Sequence, residues 1–291
     1  MLCQFNFKNF RSYKDDAAID MRATSSELFA DSLIAGVDDS QKYLPVAAVF
    51  GTNAGGKSNA LKALWALISL IIKPINVLSN TPIYENFPCI PFEFDDKSRY
   101  EPTEFDIYFR EKSKAGGIEA EYEYNYCISV KNRVLSESLY RKKTAKNSRK
   151  TCVFERETEK AEEEDKYVTN ITLGPCIKKD VNNTMSVDAV RENIPYLSFL
   201  AIAYNLEPIN TAMRFFNNCL AVNYANRDME RYFLLKNEQL RGEVLEKMQG
   251  MGINISGIEI EHPEKNSNNI KVYFDHIVNN NVYKLASFEE S

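Results

Sequence analysis

Leu44-Pro45-Val46-Ala47-Ala48-Val49-Phe50-Gly51-Thr52-Asn53-Ala54-Gly55-Gly56-Lys57-Ser58-Asn59 is the stretch on which the reading of this chain turns. Its first seven residues form a short apolar run, the composition that a strand buried on both faces needs. Its centre matches G-x-x-x-x-G-K-[ST] in full. From Lys57 to about Ile72 the chain is rich in Ala and Leu and carries no Gly or Pro. It then meets Lys73-Pro74, where proline's missing N–H disfavours continuation, so a buried helix is predicted to end there. Strand, loop and helix in that order are the context in which this pattern binds phosphate.

Each residue type in the loop has a mechanical reason to be there. Gly51, Gly55 and Gly56 permit the backbone angles and the close approach by which successive N–H groups ring an anion. Lys57 supplies a mobile positive charge for β and γ phosphates, and the Ser58 hydroxyl is suited to ligate Mg²⁺. The helix that starts there aims the positive end of its dipole at the same point. The stretch therefore predicts a nucleoside triphosphate site with Mg²⁺.

Working outward, Leu2-Cys3-Gln4-Phe5-Asn6-Phe7 and Ala17-Ala18-Ile19-Asp20-Met21 alternate around a polar turn holding Arg11, Ser12 and Lys14, which predicts a β-hairpin. Phe92 to Phe94, Glu104 to Phe109 and Glu121 to Tyr126 alternate polar with aromatic or aliphatic residues, as antiparallel strands with one wet face do. A basic run, Arg141 to Lys150, precedes an acidic one from Glu155 to Lys166, a pairing expected of solvated hairpins. Val187 to Gln249 reads as helical with a break at Pro208, its aromatics Phe215, Phe216, Tyr232 and Phe233 expected in the core. It lacks the sustained heptads of a coiled-coil arm. Strands are expected again at 257–260, 270–274 and 282–285.

The composition is that of an ordinary globular chain: 291 residues, 44% hydrophobic, 26% charged, net charge −5. No global charge points to nucleic acid or a membrane. The longest apolar stretch, Ala63 to Ile72 interrupted at Ser69, falls short of the roughly 20 residues a bilayer demands. The N-terminus lacks a basic region followed by an apolar core, so a cytoplasmic location is expected. Six cysteines are scattered without a C-x-x-C pair and read as reduced. The two histidines, His262 and His276, offer no metal-ligand spacing.

Phe7-Lys8-Asn9-Phe10-Arg11-Ser12-Tyr13, followed by Phe50-Gly51-Thr52-Asn53-Ala54-Gly55-Gly56-Lys57-Ser58-Asn59, resembles the ABC-type ATPase heads of the RecF and SMC class. Within it the chain looks most like the AAA-family ATPases of the OLD and abortive-infection type. Ile194-Pro195-Tyr196-Leu197-Ser198-Phe199-Leu200 supports the likeness, as does Leu285-Ala286-Ser287-Phe288-Glu289-Glu290-Ser291, which resembles the start of an E-S-S-G-T signature. The resemblance implies an α/β P-loop NTPase with an antiparallel β-rich lobe and a helical insertion. Its parts would be 1–75 (hairpin, loop strand and helix), 76–184 (β-rich lobe), 185–250 (helical insertion) and 251–291 (returning strands).

It also implies ATP as the ligand, Asn53 facing the γ phosphate, Arg11 reaching the phosphates from the hairpin, and Ala54 and Asn59 completing the loop. Two heads would sandwich ATP in a homodimer and pass its binding or hydrolysis to an effector protein or nuclease, in phage defence or DNA maintenance. No apolar strand ending in Asp-Glu follows the signature-like stretch, so the chain is expected to be about two thirds of a head, C-terminally truncated, and to bind ATP better than it hydrolyses it. The chain departs from the wider ABC pattern in having no glutamine between Gln41 and Gln239.

Three other readings compete. The basic run from Arg141 to Lys150 fits DNA or RNA contact by an SMC- or RecF-like repair ATPase, with binding that falls steeply with salt and depends on Lys142, Lys143 and Lys146. A transporter ATPase subunit shares the loop, but the N-F-R-S hairpin and the long insertions argue against it. So does the missing lid of arginines against a small-molecule kinase.

Overall fold

The computed structural model describes the chain except for residues 25–29, 37–40, 54, 80–88, 114–118, 144–147, 162–165, 182–188, 220–233, 235–236, 262–270, 279–280 and 287–291. It is a mixed α/β chain with a large antiparallel sheet and few helices. It divides into two compact units, Met1–Cys219 and Leu220–Ser291.

The first unit is built on a seven-stranded sheet of β1 (Leu2–Lys8), β2 (Ala17–Asp20), β5 (Thr103–Lys112), β6 (Glu119–Ile128), β7 (Val134–Lys143), β8 (Thr151–Lys160) and β9 (Tyr167–Leu173). The strand order is β2-β1-β5-β6-β7-β8-β9 and every neighbouring pair is antiparallel. The expected N-terminal hairpin is thus one edge of it. Side chains alternate between faces of a strand, and here one face is aromatic: Phe5, Phe7, Phe105, Phe109, Tyr122, Tyr124 and Tyr126 are all buried. Glu121, Glu123 and Asn125 take the other face, as the alternation in β6 predicts.

Among the described residues of this unit, three α-helices are packed together: α1 (Lys57–Ser79), α2 (Tyr196–Ala203) and α3 (Glu207–Asn218). The α3 helix lies on β5 and α1, and α2 packs on both α1 and α3. Phe109 stacks on Phe215 at 4.1 Å between ring centroids, and Tyr124 meets Phe216 edge-on at 5.7 Å. Phe215 and Phe216 are core, as expected, while Tyr232 and Phe233 lie outside the described residues. Pro208 sits in the first turn of α3, where its missing N–H has no intrahelical partner to lose.

Helix α1 runs on through Pro74 to Ser79 instead of stopping before it. Burial explains this: Leu67, Ile68, Ile71 and Ile72 are all inside, and Ser198 Oγ donates to the Ile71 carbonyl at 2.6 Å, beside the carbonyl that Pro74 leaves unmatched. The extension also makes Lys57–Ile75 long and apolar enough to cross a membrane by length and composition, with half of that stretch buried in the protein. A helix packed in a protein core passes the same test, so the expectation that the run from Ala63 to Ile72 does not span a bilayer is not overturned.

Two expected strands are not formed. Phe92 to Phe94 is irregular, with Phe94 90% exposed. Leu44 to Phe50 is not a strand either: its attachment is Leu44 N–H to Met21 O at 2.7 Å, and Val46 (77%) and Phe50 (89%) are exposed. A strand buried on both faces needs a parallel sheet with neighbours on each side, and the sheets among the described residues are antiparallel and do not include 44–50. A small two-stranded sheet, β3 (Ile34–Ala35) with β4 (Lys42–Tyr43), precedes the run and was not foreseen.

The least expected feature is a buried charge network. Glu137 on β7 and Arg156 on β8 are each 1% exposed. The carboxylate accepts from Tyr124 Oη (2.9 Å) and from the backbone N–H groups of Tyr196 (2.5 Å) and Leu197 (2.8 Å), the first two residues of α2. Arg156 Nη1 lies 3.9 Å from it and donates to Ile194 O at 2.7 Å, with Nη2 donating to Arg191 O at 3.3 Å. Burial pushes the Glu137 carboxyl above its usual range, and Arg156 together with the helix N–H groups pulls it back. The network fastens α2 to the sheet through the helix's N-terminal donors, which have no intrahelical partners.

Gly174, just past β9, touches the neighbouring strand so closely that a Cβ there would stand 1.9 Å from the Cys152 carbonyl oxygen. The atom in the way is backbone and has nowhere to go. Gly174→Ala is expected to destabilise by about 1–3 kcal/mol, a fall of roughly 3–10 °C in Tm for a unit of this size. A thermal melt within 1 °C of wild type would contradict the packing described.

The second unit holds α4 (Glu238–Gly250), capped by the Asn237 side chain accepting from Leu240 N–H at 3.0 Å. It also holds the antiparallel sheet β10 (Gly257–Glu261), β11 (Lys271–Val278) and β12 (Asn281–Ala286), where strands were expected. The helical stretch 185–250 is therefore shared between the units, α2 and α3 in one and α4 in the other.

Candidate phosphate-binding loop

The loop from Gly51 leads straight into α1, with Gly56 just ahead of the helix and Lys57 and Ser58 its first two residues. Lys57 curls back over the loop, its Nζ donating to Gly51 O at 2.8 Å and Thr52 O at 2.6 Å. That places one positive charge at the mouth of a helix N-terminus, whose free N–H groups already favour an anion. Gly56 has φ +86°, a conformation that side chains rarely adopt. At Gly55 a Cβ would come within 3.0 Å of the Thr52 carbonyl and hydroxyl, whereas at Gly51 it would meet only the Lys57 methylenes at 3.7 Å. Two of the three glycines are thus demanded by the loop's own shape.

Gly51, Thr52, Asn53, Gly55 and Ser58 are exposed, with Lys57 and Asn59 half-buried. Ala54 lies outside the described residues. Asn59 is occupied within the protein, its Nδ2 donating to Ser12 Oγ at 2.9 Å.

The turn of the N-terminal hairpin is the loop's neighbour, through residues other than the one expected. It is closed by Phe10 N–H to Tyr13 O (2.8 Å) and Tyr13 N–H to Phe10 O (2.9 Å). Arg11, at φ 51°, donates its N–H to Ile90 O at 2.8 Å, and its guanidinium lies 5.6 Å from the Phe10 ring. Burial pushes the nearby Cys89 thiol up to about 12 against the pull of Arg11. Among the described contacts none joins Arg11 to the loop; Ser12 and Tyr13 make that junction, with Tyr13 Oη donating to Gly56 O at 3.3 Å.

Asn9 of the same motif is structural. It is buried at φ 52°, its Oδ1 accepts from Phe92 N–H at 2.9 Å, and its Nδ2 donates to the carbonyls of Ser98, Glu101 and Pro102 at 2.8, 3.0 and 3.2 Å. Asparagine tolerates that backbone conformation and offers both an acceptor and two N–H donors, which are shared among the three carbonyls.

Fit to a nucleoside triphosphate with Mg²⁺ differs between its parts. The phosphates meet a lysine amine, an open loop and a helix N-terminus. The metal would meet the exposed Ser58 hydroxyl, since among the described residues no group of three or more His, Cys, Asp or Glu is placed to hold an ion. Phosphate oxygens would supply other ligands to a magnesium ion, which is commonly held this way. The six cysteines are free thiols.

Of the basic run, Arg141 pairs with Glu207 at 2.6 Å and Lys150 with Glu123 at 2.5 Å, so two of its cations are already engaged. Lys146 lies outside the described residues.

Fold and loop together define a mixed α/β chain with a glycine-rich, lysine-closed turn ahead of a buried helix. Comparison with protein-family models, with curated proteins and with solved structures gives no match for the chain.

Proposed function

We propose that this chain binds a nucleoside triphosphate, ATP by its resemblance, at the loop Gly51–Ser58. The observation that supports this most is Lys57, the first residue of α1, with its Nζ folded onto the Gly51 and Thr52 carbonyls of the loop. In this reading the backbone of the loop and Lys57 hold the β and γ phosphates, Asn53 stands at the γ end and Ser58 ligates Mg²⁺. The metal would neutralise phosphate charge when bound. The part of the chain's own residues is to orient the phosphates.

Because the contacts are made to phosphates and not to a base, affinity is expected to follow phosphate number: ATP and ADP bind well and AMP at least tenfold more weakly, as read by titration calorimetry with Mg²⁺. Equal affinity for AMP and ATP would place the nucleotide elsewhere. A nucleotide-gated homodimer, a coupled effector and a role in phage defence or DNA maintenance form the outer part of this proposal and rest on the resemblance of the N-F-R-S hairpin and loop to OLD-type heads.

A further inference from the structure

The contact between the hairpin turn and the loop has a geometry that bears on how the loop is set. Gly56 carries the loop's positive φ of +86°, open to glycine alone at no cost, and the place where a Cβ would stand is taken by Ser12 Oγ at 2.8 Å and the edge of the Tyr13 ring at 3.4 Å. Its carbonyl is held by three donors at once: Asn59 N–H (2.8 Å), Ala60 N–H (3.2 Å) and Tyr13 Oη (3.3 Å). Ser12 Oγ, on the same turn, accepts from Asn59 Nδ2 at 2.9 Å.

A peptide unit is planar and trans, so its C=O and N–H point in opposite directions. Pinning the Gly56 carbonyl toward α1 and Tyr13 therefore aims the Lys57 N–H the other way, out of the helix's first turn. That N–H is one of the helix's unpaired donors. The turn that does the pinning is itself anchored at depth. The Tyr13 ring packs edge-on against Phe7 of β1 at 4.9 Å between centroids, Arg11 N–H holds Ile90 O, and Asn9 holds the backbone from Phe92 to Pro102.

We propose that Ser12 and Tyr13 are positioning residues that fix the Gly56–Lys57 peptide in its anion-receiving orientation and make the hairpin turn report whether the loop is occupied. This rests on the reading of the loop as a nucleotide site. An anion that draws on the Lys57 N–H polarises the same peptide and strengthens the bonds made to the Gly56 carbonyl, so occupancy tightens the turn. Emptying the loop loosens it. The path from loop to sheet is then short and entirely local, running through Gly56, Tyr13 and Phe7 into β1.

The test uses the full chain with the single variants Tyr13→Phe and Ser12→Ala, each keeping the bulk of the side chain. Mg²⁺ with a non-hydrolysable ATP analogue is titrated by calorimetry, and amide hydrogen exchange of residues 9–14 is followed with and without the analogue. In wild type the analogue is expected to slow exchange at Arg11 and Tyr13. In Tyr13→Phe the affinity is expected to fall about three- to tenfold, the worth of one hydrogen bond, with the protection of the turn on binding largely lost and Tm moved by no more than about 2 °C. A purely structural role would lower Tm and leave the exchange difference intact. Wild-type affinity in both variants, or binding with no change in exchange at the turn, overturns the proposal while leaving the loop assignment standing. A wild-type chain that binds no analogue overturns both.

Discussion

Lys57→Ala is expected to weaken Mg·ATP binding by roughly 10- to 150-fold, the equivalent of losing charge-assisted hydrogen bonds worth about 1.5–3 kcal/mol. Two effects act in the same direction. The variant removes the only side-chain charge that the motif brings to the phosphates, and it frees the carbonyls of Gly51 and Thr52 that the amine now holds at 2.8 and 2.6 Å. The loop's open end is then less ordered before binding, and its ordering has to be met from binding energy. Lys57 is half-buried and takes no part in the aromatic core, so Tm should stay within a degree or two. Equal affinities of the two proteins, measured by titration calorimetry in Mg²⁺, would refute the loop as the nucleotide site.

Glu137→Ala should have the largest effect on stability. Removing one member of a buried ion pair leaves the other charge uncompensated, and such changes destabilise by about 3–5 kcal/mol. Here the loss also strips acceptors from Tyr124 Oη and from the N–H groups of Tyr196 and Leu197. For a domain of 150–250 residues that corresponds to roughly 6–20 °C in Tm. Glu137→Leu combined with Arg156→Met should recover much of it, since a matched apolar pair has no stranded charge, although the α2 donors stay unmet. Differential scanning fluorimetry of the single and double variants decides the matter. A single variant melting within 2 °C of wild type would mean the network does not hold α2 on the sheet.

What could be read in the sequence is what depends on neighbours along the chain. The glycines, lysine and serine of the loop, the alternation in β1, β5 and β6, and the Ala- and Leu-rich helix after Lys57 are local patterns with local causes. Leu44 to Phe50 shows where that logic stops. Apolar composition states that a segment gains by burial, and only the rest of the fold determines what buries it; here Val46 and Phe50 lie open. The end of α1 differs from the local expectation for the related reason that packing of Ile71 and Ile72 outweighs the lost bond at Pro74.

The N-F-R-S hairpin divides the same way. Its existence is local, but which of its residues meets the loop is set by tertiary contacts, and these bring Ser12 and Tyr13 there and tie the Arg11 backbone N–H to the Ile90 carbonyl. Glu137 and Arg156 are nearly silent in the sequence. In sequence they are ordinary charges on alternating strands rich in Glu, Lys and Arg, and only strand register puts them on the buried face. An acid directly preceded and followed by serine, in a strand otherwise patterned by Val134 and Leu139, is the faint clue that was there to be read.

The open run beside the loop also governs how the chain behaves in a test tube. Val46-Ala47-Ala48-Val49-Phe50 has no charge, no proline and β-favouring residues in Val46, Val49 and Phe50, features shared with segments that stack on copies of themselves. Standing in water at the surface, it makes the chain adhesive at high concentration and in salts that strengthen apolar contacts. Dilute, low-salt handling and a charged substitution at Val46, its most exposed valine at 77%, are the means of keeping the chain dispersed while its ligand is sought.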